Sequence, residues 1–288
     1  MDSAIAAAIA AGFFWAANII VVRWALPRTG APALVGAAVG VSVASLVATA
    51  VALASAQALP SADDVWRFAL VGAIAPGSSQ GLFVASIGSI GPSRTSVLVG
   101  TSPVFSVLLA MAFLDEDWRL AIIVGTALTV VGSALISWEP TSGVRRVGVA
   151  LALLTAFSFG VRDVVARHFN SDSDVSSWWA GAVVLGAAGL VLVTMAVATQ
   201  RGGTARAFKA ATPEFLASGL LIGMALPVLL IALDRGQVGI VAPLSLASQN
   251  ISVVAMGAVV FGAQERTPRV LAALTLVLAG AFVVSSAG

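Results

Sequence analysis

The chain has 288 residues, of which 59% are hydrophobic and only 10% charged, with a formal net charge of +2 and a mean hydropathy of +1.03. Soluble globular proteins carry about 25% charged residues, so this chain lacks the ionic groups to cover a water-exposed surface, and lipid is its expected solvent. The absence of cysteine excludes disulfide scaffolds and thiolate chemistry, and a single histidine, His168, excludes multi-histidine zinc motifs.

A hydrocarbon core of about 30 Å requires about 20 apolar residues in a helix. Ten stretches meet that length: 4–24, 33–54, 66–87, 93–114, 119–138, 147–167, 178–198, 214–233, 239–262 and 269–287. Each is expected to be helical, because lipid cannot satisfy an open backbone. The predicted fold class is an all-α integral membrane protein with ten transmembrane helices in two inverted five-helix repeats.

In the first span, Trp15 lies midway, open to lipid contact, packing or cavity lining. Asn18 on the same span needs a partner for its amide, either on another helix or on a substrate path. Pro27, Gly30 and Pro32 are expected to form the first turn, and Ser61 or Asp63 is expected to cap the third helix. Within the third span, Gln80 follows Pro76, Gly77, Ser78 and Ser79, a cluster that permits bending around a binding site. Arg94 begins the fourth span and is suited to an anionic group or to lipid phosphate.

The sixth span contains the most unusual pair, Arg162 and Asp163, inside an apolar stretch. Adjacent helical positions diverge by about 100°, so the two need not pair with each other. Arg162 is a candidate for an acid or a substrate carboxylate across a cavity. Asp163 is a candidate partner for Arg167 and a candidate proton carrier. A break is expected at Pro140 to Gly143 and an exposed loop from Gln200 to Pro213, while Pro227 is a candidate kink in the eighth span. Gln249 and Asn250 suit either a polar cavity or hydrogen bonds between helices. Gly36-x-x-x-Gly40 and Gly219-x-x-x-Gly223 present small faces for close packing. Trp24, Trp66, Trp118, Trp138, Trp178 and Trp179 sit near span ends, where interfacial anchoring is the expected role.

If ten spans alternate, the face carrying the termini holds Arg67, Arg119, Arg167 and Arg235. The other holds Arg23, Arg28, Arg94, Arg145, Arg146, Arg201, Arg206, Lys209, Arg266 and Arg269. This excess places both termini outside. Five spans precede Pro140 and five follow it, dividing the chain into 1–140 and 141–288. An odd number of spans per half inverts the second copy, and inverted halves permit alternating access about a central site.

Thr101-Ser102-Pro103-Val104-Phe105 followed by Phe113-Leu114-Asp115-Glu116, with Ile90 to Thr95 ahead of them, resembles the motif of EamA-like ten-helix permeases in the drug/metabolite transporter superfamily. The second copy departs from it: aligning Glu265 with Glu116 puts Ser252 where Pro103 would be. The resemblance implies a secondary transporter of small metabolites or drugs in the cell membrane, often an exporter. Arg94, Pro103, Glu116 and Glu265 are the family-motif and gating candidates, and helix capping, loop pairing or gating is expected of Glu116. The implied partners are a small-molecule substrate and membrane lipids, with proton coupling open and monomer and homodimer both open. An uncoupled facilitator or exchanger, an intramembrane lipid-modifying enzyme and a non-transporting receptor are the alternatives. No cofactor motif, metal-ligand set or basic tract for nucleic acid is present in the sequence.

Overall fold

In the computed structural model, which describes residues 2–117, 119–137, 146–199, 204–260 and 268–286, the chain is helical, with no strand among the described residues. The helices are α1 (Asp2–Thr29), α2 (Ala33–Ala54), α3 (Ala62–Gly72), α4 (Ser79–Ile90), α5 (Pro92–Val99), α6 (Ser102–Phe113) and α7 (Leu120–Ser137), followed by α8 (Arg146–Ser171), α9 (Ser177–Thr199), α10 (Thr204–Arg235), α11 (Val238–Val260) and α12 (Pro268–Ser285). Nine helical stretches among the described residues are long and apolar enough to cross a membrane, and Leu120–Leu135 is a shorter apolar helix. The expected breaks at Pro140 to Gly143 and at Gln200 to Gly203, together with Trp118, Trp138 and Glu265, lie outside the described residues.

The helix ends follow local chemistry, with two corrections to the sequence expectation. At the start of α3, the Ser61 hydroxyl accepts from the Asp64 amide while Asp64 accepts from the Ser61 amide, a reciprocal cap. The turn expected at Pro27 is displaced: α1 runs through Pro27 and stops before Gly30, whose φ of 59° is the left-handed conformation glycine adopts after a helix. The loop expected up to Pro213 is also displaced, because α10 begins at Thr204 and continues through that proline. Ala, Arg and Lys between 204 and 212 favour a helix, and the segment buries Ala211 and Phe215. A Cβ on Gly36 would lie 2.4 Å from the Phe215 ring, so this part of α10 is seated on α2.

Two spans are broken. Between α3 and α4, the π-helical turn Ala73–Ser78 contains Ala75 in an extended conformation (φ −150°, ψ 124°) next to Pro76. Gly100 and Thr101 separate α5 from α6. Elsewhere, hydroxyls on apolar helices bond back to their own backbone, as Thr49 does to the Ser45 carbonyl and Thr194 to that of Leu190. This satisfies a polar group that lipid would leave unpaired.

Packing follows a repeated pattern. α1 packs on α10 and α11, while α8 packs on α4 and α6; α2 packs on α10, while α9 packs on α3 and the π turn. α2 also packs on α9, and α7 on α12. The expected small faces meet directly: Cβ atoms on Gly219 and Gly223 would come within 2.5 Å of Val43 and 2.8 Å of the Ala44 carbonyl. Glycines there let α2 and α10 approach backbone to backbone.

Candidate functional site

The polar residues of the apolar spans fall into two groups, those committed to partners and those with unpaired polar atoms. Asp163 on α8 is buried and fully committed. Its Oδ1 accepts from Arg162 Nε at 3.1 Å and Nη2 at 2.8 Å, and its Oδ2 accepts from the Ser106 hydroxyl at 2.8 Å. Arg162 and Asp163, which helix geometry leaves free to pair or not, therefore pair with each other. The backbone directions do diverge, but the long arginine side chain folds back along α8 to reach its neighbour. Arg162 also stacks over Phe159, 5.1 Å from the ring centroid. Arg167, the expected partner of Asp163, donates instead to the Asp234 carbonyl.

Ser106 reaches Asp163 because Gly160 permits contact between α8 and α6. A Cβ at Gly160 would stand 2.7 Å from Phe105 Cβ and 2.9 Å from the Ser106 amide. Pro103 is buried at the start of α6, the helix that carries Ser106. Asn18, 9% exposed, accepts from Ser218 on α10 at 2.7 Å. Asn250 on α11 donates to the Ser133 hydroxyl at 2.6 Å, and Ser133 donates to the Thr129 carbonyl.

Glu116 joins the turn after α6 to the start of α11. Its two carboxylate oxygens accept from the amides of Val238 at 2.6 Å and Gly239 at 2.9 Å, capping the start of α11. A crevice of about 270 Å³ beside it is lined by Leu114, Asp115, Glu116, Arg167, Ser171 and Gln237. Trp179, expected as an interfacial anchor, is instead a buried core residue whose indole donates to the Gln57 carbonyl. Trp24 and Trp66 are exposed, with Arg28 stacked 3.8 Å from the Trp24 ring centroid.

The second group includes the buried hydroxyls of Ser79 and Thr126 and, with larger polar side chains, Trp15, Gln80 and Gln249, the three considered next. All three are half-buried, and none makes a hydrogen bond through its side chain among the described residues. Lipid supplies no partner for an amide, so Gln80 and Gln249 require water or a polar solute. Gln80 follows the Ala75 break by five residues, and Gln249 lies where α11 meets α1: a Cβ on Gly12 would be 2.9 Å from its backbone nitrogen. Arg94 lies in the first turn of α5 and is engaged in an interaction of its own. Among the described residues no group of three or more His, Cys, Asp or Glu is placed to hold a metal ion.

Sequence reasoning missed the hydroxyl partners Ser106, Ser133 and Ser218. Their only signal is a hydroxyl on an apolar helix, and the partners lie 57, 117 and 200 positions away.

The fold and the intramembrane polar residues define a multi-pass α-helical membrane protein. Its likeness to a crystal structure of another protein covers 99% of both chains, with a TM-score of 0.81 at 20% identity, and this likeness shows the fold alone. Residues 2–138, a little under half of the chain, match the model of the EamA-like transporter family. The chain is also similar to a protein of Streptantibioticus cattleyicolor described as a "Probable terminal-alkyne amino-acid exporter", 30% identical over 131 residues. That alignment spans 44% of this chain and 44% of the relative.

Proposed function

We propose that the chain is a secondary transporter that exports small amino-acid-like metabolites by alternating access, through two inverted halves at 1–140 and 141–288. The observation that carries this reading is the repeated packing, in which α1 on α10 and α11 corresponds to α8 on α4 and α6. Such an exchange of partners provides two related conformations that face opposite sides. The EamA-like match over 2–138 and the amino-acid exporter relative support transport over lipid-modifying chemistry. In this reading the substrate path is lined by Trp15, Gln80 and Gln249, whose side-chain polar atoms have no hydrogen-bond partner among the described residues. Asn18 and Asn250 hold helices together instead. The arginine excess on the face opposite the termini orients that face to the cytoplasm.

A proton is one coupling ion open to this chain, with Asp163 as its carrier. The engagement of Asp163 with Arg162 and Ser106 favours a second reading, an uncoupled facilitator or exchanger. Purified protein in liposomes, assayed for amino-acid flux under set pH gradients, tests both. Protein-dependent flux supports transport, and its absence across an amino-acid panel rejects the proposed substrate class. Loss of gradient dependence in Asp163→Asn at matched expression assigns coupling to that carboxylate; an unchanged pH profile removes its carrier role.

A further inference from the structure

We propose that Glu116 is the latch of a gate on the face carrying the chain termini, and that the structure captures the state closed there and open to the opposite face. The inference rests on the alternating-access reading above and adds which face is shut and what holds it. Contacts define the terminal face: a Cβ on Gly236 would be 2.8 Å from Ala4 Cβ, and Trp179 donates to Gln57. α8 packs against α10 and α11, and two side-chain bonds place its meeting with α10 at this face. Arg167 donates to the Asp234 carbonyl, and Asn170 to that of Leu230. The corresponding contacts on the opposite face would join the end of α1 to α4, α5 and α6. No comparable packing joins these helices among the described residues. Among the described residues, the packing is therefore matched in its long helix contacts and unmatched at its two ends, as expected of a molecule shut on one side.

Glu116 spans the shut end. It belongs to the turn between α6 and α7, yet its carboxylate caps α11, 122 and 123 positions away. The first amides of a helix have no intrahelical acceptor, and a carboxylate there is favoured by charge-assisted bonds and the helix dipole. Asp115 holds the turn in the left-handed region, with φ of 51°. Glu116 is half-buried and borders the water-accessible crevice. When the contact parts, water can take up both the carboxylate and the two amides, which suits a bond that is made and broken in each cycle.

The cysteine-free chain permits a direct test. Ala166 on α8 is 0% exposed and lies between Asp163 and Asn170 on the buried face of the helix. In an Ala166→Cys background, a membrane-impermeant maleimide added at the terminal face should label slowly. Adding Glu116→Gln should speed labelling about tenfold or more. Val238→Pro removes one donor at a first helical position that tolerates proline, and should shift labelling the same way without altering the carboxylate. Asp117→Asn, whose partner is Arg119, should leave labelling unchanged. Equal labelling in the parent, Glu116→Gln and Val238→Pro would overturn the latch. Labelling needs no substrate, so flux failure rejects the transport reading separately, while unchanged labelling in an active transporter removes the latch alone.

Discussion

Asp163 and Arg162 sit inside a helix with side-chain exposures of only 8% and 12%. The desolvation of both charges is offset by their mutual attraction and by the Ser106 hydroxyl. Breaking such a pair from one side leaves a buried, unpaired charge and costs about 3–5 kcal/mol, whereas replacing both charges together costs far less. Arg162→Met should therefore lower the thermal midpoint of the detergent-solubilised protein sharply. The double variant Arg162→Met, Asp163→Leu should recover most of that loss; equal losses in the two would show that the pair contributes little. At this scale the sequence identifies the unusual residues but not their partners. Two charges in an apolar span are conspicuous wherever the chain folds, whereas the Asn18–Ser218 bond joins residues 200 positions apart.

Helix existence was legible because lipid imposes a length and excludes open backbone, and α2 occupies the expected 33–54. Helix ends were less so, because proline has two meanings. Pro27 and Pro213 lie inside helices, while Pro76 accompanies a real break. What separates them is packing: Phe215 seats the segment around Pro213 on α2, which no local pattern announces. The glycine faces of α2 and α10 were readable as packing surfaces, though not as each other's partner. A leucine at Gly223 must displace Val47 and the Ala44 carbonyl, each 2.8 Å from a Cβ there. Gly223→Leu should destabilise the protein by about 1–3 kcal/mol, read as a lower thermal midpoint. Gly88→Ala meets nothing within 4 Å and serves as the neutral control; parity between the two variants would contradict tight α2–α10 packing.

Across the whole molecule, the arginine distribution makes a prediction about sidedness that is independent of substrate. Leu59, 75% exposed in the turn before α3, lies on the terminal face, while Ala31 lies in the turn on the other. In intact cells, impermeant thiol reagents should label Leu59→Cys and spare Ala31→Cys; the reverse pattern would place the termini in the cytoplasm. The break at Ala75 bears on the same scale. In the proposed inverted repeat its counterpart span is α10, which passes Pro227 as one continuous helix. One half therefore carries a joint where the other carries a rod, and exchanging their roles is not a mirror operation. In the proposed alternating-access cycle the two facing states would then differ in free energy even with nothing bound, and the resting protein would not divide its time evenly between the two sides of the membrane.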